Sequence, residues 1–399
     1  MSSAESDPPA EPKRTRPPRV GGRVDPAFRR VGEVFVEALA GAELGAAVSV
    51  VVDGEPVVDL RGGWADRRRT RPWARDTLCC VFSTTKGVAA LCALQVVAEG
   101  GIDPDRPLVD LWPELAGEGR EAVTLRHVLA HRTGLVGWRP ETRMTLEDLY
   151  DPQRAAELLA VQRPFWTPGT DHGYQARSYG VLLEEALRRA TGRSLATHLR
   201  ERISEPLGLD LHLGLGAAEQ ARCAELTPAP AGGSIPEASR PMLKAMSEPG
   251  TPTHAAFSNP PGRRGYMNTD AFRQAQLPAM NGHATAPALA RLYGMLASGD
   301  QSLLPESVLA EATSVQSEGP DRVLLQPSCF GLGFQLSRPA LVVGLSDAAF
   351  GHAGAGGSLA FADPSARVGF CFLMNRMRPG AVSGTDSATA LLEALAECL

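Results

Sequence analysis

Lysine is nearly absent from this chain. Of 40 basic residues among 399, only Lys13, Lys86 and Lys244 are lysine. Aspartate and glutamate number 45 and the net charge is −5, so there is no basic excess for nucleic acid or an anionic membrane. The short run Arg67-Arg68-Arg69 reads as a solvated turn. No apolar run reaches the roughly 18 residues of a membrane-spanning helix. The seven cysteines (Cys79, Cys80, Cys92, Cys223, Cys329, Cys371 and Cys398) contain no C-x-x-C pair, which removes the common zinc and dithiol motifs. Their odd number and apolar settings suggest free thiols in a reducing compartment, hence a cytoplasmic protein. Residues 1–22 hold Pro8, Pro9, Pro12, Pro17 and Pro18 and no apolar core; they read as a disordered tail, not a signal peptide. No internal repeat is visible.

What is present is a globular composition, 43% hydrophobic and 21% charged, with strand patterns near both ends. Helical spacing over 25–41 ends at Gly41. Two β-rich runs, 46–52 and 56–60, flank Asp53-Gly54 and predict a hairpin. A short strand is expected at 78–82. Between 100 and 284 helical patterns dominate, at 125–130, 145–162, 178–191 and 195–203. The stretch 224–265 is rich in Pro, Gly and Ser and reads as a long surface excursion or mobile loop. A helix returns over 286–297. Strands follow at 331–336, 358–363 and 368–375, and an amphipathic helix at 386–398. The expected fold class is α+β: one antiparallel sheet built from both ends of the chain and flanked by helices. The expected division is a tail (1–22), an α/β domain (23–99 with 285–399) and a mainly α-helical insertion (100–284).

The informative stretch is Val81-Phe82-Ser83-Thr84-Thr85-Lys86-Gly87. The run after it, Val88 to Ala98, is apolar on nearly every side and predicts a buried central helix. Ser83 falls at its start, and Lys86 lies one turn on, on the same face. Backbone N–H groups and the positive end of the helix dipole then point at the serine, and a neutral lysine can take its proton. A plain helix cap with a solvated lysine is the competing reading. Two features oppose it: lysine is disfavoured near the positive end of the dipole, and the helix has no solvent face.

Several segments resemble one family in order and spacing. They are Phe82-Ser-Thr-Thr-Lys-Gly87; Val123 through His127 and His131 to Leu135; Trp166-Thr-Pro-Gly-Thr170; Tyr174; Tyr179 to Leu183; and Phe350-Gly-His-Ala-Gly-Ala-Gly-Gly-Ser358 with the residues to Pro364. Over roughly 25–398 the chain resembles the serine β-lactamase and penicillin-binding-protein superfamily. Within it the chain looks most like the class C-type group with family VIII carboxylesterases and related acyltransferases. The resemblance implies a β-lactamase/transpeptidase-like fold. It implies Ser83 as nucleophile, Lys86 as its proton partner and Tyr174 as the second-motif tyrosine, with the choice of base between Lys86 and Tyr174 left open. The third-motif strand becomes His352-Ala353-Gly354. The oxyanion donors it implies are the N–H groups of Ser83 and of Ala355 on the strand just after Gly354.

Two departures bear on substrate. Ala176 stands where the second motif has asparagine, and His352 stands where the third has lysine. Both weaken recognition of β-lactams and D-peptide ends and fit a less anionic small-molecule ester. Esterase is therefore the leading expectation. Transfer of the acyl group to an amine or alcohol in natural-product assembly is the alternative. A β-lactamase or D-peptidase, or a silent binding protein, fits less well. No cofactor or metal is expected. His127 and His131, four apart on a helix, have the spacing of a metal pair but no third ligand and read as structural hydrogen-bonding groups at the domain interface; His172 has no assigned role, and Asn281-Gly282-His283 reads as a turn, with a place facing the cleft as the alternative.

Overall fold

A computed structural model describes residues 20–228, 235–338, 343–378 and 386–399. The expected tail thus lies mostly outside the described residues, although Gly21 and Gly22 open a strand. Its main feature is a nine-stranded antiparallel sheet. In chain order its strands are β1 (Gly21–Val24), β2 (Gly45–Val52), β3 (Glu55–Gly63), β7 (Ser317–Pro320), β8 (Pro327–Phe330), β9 (Gln335–Leu336), β10 (Phe350–Ala353), β11 (Leu359–Asp363) and β12 (Val368–Met374). They lie in the order β1-β3-β2-β12-β11-β10-β9-β8-β7. The two ends of the chain meet where β2 pairs with β12, Val48 opposite Phe372. A separate three-stranded sheet, in the order β4-β6-β5, is made by β4 (Cys79–Cys80), β5 (Leu211–Leu213) and β6 (Gly282–Ala284).

The large sheet is apolar on both faces, which is why its strands read as continuous hydrophobic runs. Along β12, Val368, Phe370, Phe372 and Met374 point into a core with Val31 and Phe35 of the helix Arg29–Gly41 and Leu391 and Leu395 of the helix Asp386–Ala396. Cys371 and Leu373 alternate to the other side, into the core that holds the helices Thr85–Ala98 and Ala286–Ala297. The Thr85–Ala98 helix is buried from Thr85 through Val96, as its unbroken apolar composition predicts.

Several expected elements are corrected. The span 145–162 is two helices, Leu146–Tyr150 and Pro152–Ala160, because Asp151 caps the second and Pro152 cannot continue the first. The stretch 224–265 is not loop throughout. It contains the helices Arg240–Met246 and Pro252–Phe257, each with proline in its first turn, where no N–H is needed; residues 229–234 lie outside the described part. The expected strand 78–82 is only β4, followed by a 3₁₀ turn at Phe82–Thr84. His283 is not in a turn. It lies on β6, fully buried, opposite Cys80 and His212. Helix 195–203 is α-helical over Leu195–Leu199 and then a π-helical turn, Arg200–Ser204. Of the expected strand 331–336, only Gln335–Leu336 pairs.

Close approach of the Ala286–Ala297 helix to the sheet requires glycine on β12. A Cβ at Gly369 would lie 2.2 Å from the Ala290 carbonyl oxygen and 2.2 Å from the Gly294 nitrogen. Both are backbone atoms, so no side-chain rotation relieves the clash. Gly369→Ala is expected to cost about 1–3 kcal/mol by overpacking, measured as a lower urea midpoint with unchanged slope. An unchanged midpoint would mean that the helix shifts outward without penalty.

Candidate active site

Ser83 is carried in the 3₁₀ turn Phe82–Thr84 between β4 and the buried helix. The preceding Phe82 has φ 46°, a left-handed conformation that non-glycine residues rarely adopt. Such strain persists only where the surroundings over-determine it. Here the surroundings are β10 and the residues after it. The Thr84 hydroxyl donates to the His352 carbonyl (3.1 Å), and the Ser358 hydroxyl donates to the Val81 carbonyl (2.9 Å). A Cβ at Gly354 would meet the Val81 oxygen at 2.3 Å and the Ser358 hydroxyl at 2.1 Å. Glycine at 354 therefore lets the third-motif segment lie directly against the turn that holds Ser83.

Lys86 is fully buried. Its Nζ is 3.3 Å from Ser83 Oγ, 3.0 Å from the Ala176 carbonyl oxygen and 3.1 Å from the Ala279 carbonyl oxygen. No carboxylate forms an ion pair with it among the described residues. Burial accordingly drives its pKa well below the ordinary lysine value. A neutral amine has two hydrogens and one lone pair. With the hydrogens on the two carbonyls, the lone pair is left for the Ser83 hydroxyl.

Tyr174 lies above this group. Lys86 Nζ is 4.6 Å from its ring centroid. The ring is also packed against His131 (centroids 5.0 Å apart), Phe257 (6.1 Å), Phe330 (6.0 Å) and His352 (6.0 Å). Burial pushes the phenol well above its ordinary pKa; interaction with the Ser83 side chain lowers it, and the nearby Asp321 carboxylate raises it further. Tyr174 thus keeps its proton where Lys86 has lost one.

His352 is buried, and its Nδ1 lies 2.6 Å from the Ala353 carbonyl oxygen. Because a carbonyl only accepts, Nδ1 carries the hydrogen and Nε2 is a bare acceptor. Nε2 has no partner among the described residues. Burial lowers the imidazole pKa to about 3. The ring is therefore neutral and cannot replace the positive charge of a third-motif lysine.

The structure thus brings Ser83, Lys86, Tyr174 and His352 together, with Gly354 against the Ser83 turn. Ala355 is half-buried and lies in the turn after β10, not on the strand itself. His131 is also corrected. The helix Leu125–Leu129 ends before it, so it does not share a helical face with His127, and it sits under Tyr174 with φ 58°. His127 instead takes part in capping that helix through Thr124. His172 contacts Ser328, and His283 lies in the small sheet. Sequence reasoning missed the Ala176 and Ala279 carbonyls, since a backbone acceptor leaves no residue signature. It also missed Asp321, whose carboxylate accepts from the Tyr174 N–H (3.1 Å). A surface cavity of about 680 Å³, lined mainly by residues within 196–214, includes none of these groups.

With this geometry in view, comparison with known proteins is direct. Residues 31–395 match the Beta-lactamase family. The chain is 34% identical over 373 residues to the Esterase/beta-lactamase LipL of Mycobacterium tuberculosis, covering 90% of this chain and 83% of that one. A penicillin-binding-protein homologue from Caulobacter crescentus superposes with TM-score 0.86 at 39% identity, covering 96% of this chain and all (100%) of that one. A family VIII carboxylesterase structure superposes with TM-score 0.86 at 35% identity over the same shares, 96% and 100%. The chain belongs to the β-lactamase family, with its β-lactamase/transpeptidase-like fold, and is a serine hydrolase or acyltransferase of that family.

Proposed function

We propose that the protein is a serine esterase that hydrolyses uncharged small-molecule carboxylic esters through an acyl-enzyme on Ser83. The observation that carries this reading is Lys86: buried, without a counter-ion among the described residues, with its two hydrogens occupied by carbonyls and its lone pair toward Ser83. Lys86 takes the Ser83 proton as Oγ attacks the ester carbonyl. The N–H groups of Ser83 and Ala355 hold the resulting oxyanion. As the intermediate collapses, the Tyr174 hydroxyl gives its proton to the departing alkoxide and is reprotonated from the Lys86 ammonium. Water then repeats the sequence on the acyl-enzyme and releases the acid.

The esterase choice rests on the neutral His352 and on Ala176. Neither supplies the positive charge or side-chain amide that would hold an anionic, peptide-like substrate. The relatives named as an esterase/β-lactamase and a family VIII carboxylesterase favour the same class. Seven unpaired cysteines, six of them buried, support action in a reducing, cytoplasmic setting. No described helix is long and apolar enough to cross a membrane.

Incubation with short-chain aryl esters is expected to leave an acyl adduct on Ser83 by intact mass. Ser83→Ala should abolish the adduct and lower kcat/KM at least ~10³-fold. Nitrocefin should turn over far more slowly than the esters; rapid nitrocefin hydrolysis would remove the ester preference. If added amine diverts product from acid to amide with acceleration, the acyl group is transferred and not hydrolysed.

A neutral Lys86 also has a signature in stability. Its folded pKa lies below its unfolded value of roughly 10.4. Between those two values the unfolded chain binds one more proton, so stability rises with pH. Relative to Lys86→Met, the wild type is expected to gain ~1.4 kcal/mol per pH unit across that window, measured by urea unfolding at pH 7, 8 and 9. Parallel curves for the two proteins would mean that Lys86 is protonated in the folded state.

A further inference from the structure

Tyr174 belongs to neither a helix nor a strand. Its place in the site depends on anchors to the segment 171–175, and these come from two sides. On one side His131 accepts: its carbonyl from the Gly173 N–H (3.0 Å) and its Nδ1 from the Gln175 N–H (3.2 Å). On the other side is Asp321, in the turn between β7 and β8. Its Oδ1 accepts from the N–H groups of Tyr174 (3.1 Å), Val323 (2.8 Å) and Leu324 (2.8 Å), and its Oδ2 accepts from the Ser328 hydroxyl (2.9 Å). The same Ser328 hydroxyl lies 3.1 Å from His172 Nε2, and the Arg322 N–H donates to the His172 carbonyl (3.2 Å). Asp321, Ser328 and His172 contain the residue types of a catalytic triad in the wrong order. The serine is in the middle with its proton toward the carboxylate, and all three are buried. They form a strut.

Asp321 has no cationic partner among the described residues; the adjacent Arg322 pairs with Asp171 (3.2 Å). A carboxylate 2% exposed without a counter-ion is an expensive way to tie a turn. A neutral asparagine would satisfy most of the same donors. Burial raises the Asp321 carboxyl above its ordinary value, and the four donors it accepts from oppose that and favour the carboxylate, so the choice of aspartate here is the feature that needs a reason.

We propose that Asp321 is a positioning residue for catalysis, fixing the backbone of Tyr174 and placing a negative charge behind its phenol. This rests on the assignment of Tyr174 in the preceding section. The charge opposes formation of a phenolate, so Tyr174 holds its proton until the leaving group needs it. Among the described residues, Asp321 is the carboxylate whose charge raises the phenol. Lys86 on the buried helix is neutral, and His131 and His352 are held neutral by burial. The Tyr179 phenol, on the helix Ser178–Thr191, is itself raised by burial. The apolar cluster that holds the ring includes Val136, Met242, Phe257 and Phe330.

The test compares pH profiles of kcat/KM on an aryl ester for the wild type, Asp321→Asn, Tyr174→Phe and the double variant, with melting temperatures alongside. Asp321→Asn keeps the shape of the side chain. It is expected to lower kcat with little change in KM and to move the alkaline limb to lower pH. In the Tyr174→Phe background the same substitution should have little further effect. An alkaline limb that stays in place, or a loss of activity equal in both backgrounds, would overturn the proposal and leave Asp321 as a fold element. Wild-type activity in Tyr174→Phe alone would instead refute the assignment of Tyr174. Ser328→Ala keeps the charge while loosening the anchor, and should lower kcat without moving the limb. If Asp321→Asn does not fold, an unchanged kcat in Ser328→Ala overturns the proposal.

Discussion

A lysine amine enclosed without a counter-ion is the constraint on which the rest of this molecule depends. Desolvation of an ammonium is costly enough that the group gives up its proton instead. That outcome requires burial of the amine, and Lys86 is fully buried on a helix that is itself buried from Thr85 through Val96. It also requires that no carboxylate approach, and none does among the described residues. The two nearest polar groups are main-chain carbonyls, Ala176 from the segment before the helix Ser178–Thr191 and Ala279 from the segment before β6. Carbonyls take up the amine hydrogens without stabilising a full positive charge as a carboxylate would. The proposed base is thus tuned by backbone, and the tuning survives only while three separate stretches of chain remain packed together.

The same convergence explains the strain at Phe82. A left-handed phenylalanine would relax if the turn were free. It is held because Thr84 and Ser358 stitch the turn to the third-motif segment, and because Gly354 permits van der Waals contact where any side chain would intervene. β10 is a central strand of the large sheet, five places from the edge strand β1. Its position therefore inherits the rigidity of a sheet buried on both faces, which is the support a preorganised site needs.

Local patterns in the sequence recovered those elements whose residues face one uniform environment. The buried helix after Ser83, the helix Ser178–Thr191 and the hairpin around Asp53-Gly54 are legible because periodicity and turn chemistry agree. The site motifs were legible as a conjunction of short segments in order. What escaped was non-local. His283 looked like part of a turn because Asn281-Gly282 precedes it, yet pairing with two distant strands makes it β. Asp151-Pro152 hid a boundary inside one continuous helical pattern. The helices within 224–265 were masked by prolines that sit in their first turns, where proline is tolerated. Asp321 gave no signal at all, because its partners are N–H groups that come close only in the folded chain.

Charge then decides what such a site can accept. An anionic group bound beside Lys86 would favour the ammonium form and remove the base that the reaction needs. Members that bind a substrate carboxylate can offset this with a separate cation on the third-motif strand. Here that position holds His352, whose imidazole is neutral and whose free nitrogen is an acceptor. An acceptor facing a carboxylate repels it. A neutral ester imposes no such conflict: its carbonyl requires only backbone donors, and its alkoxide requires only the proton that Tyr174 retains. The neutral His352 and the neutral Lys86 are thus both compatible with the uncharged ester proposed as substrate.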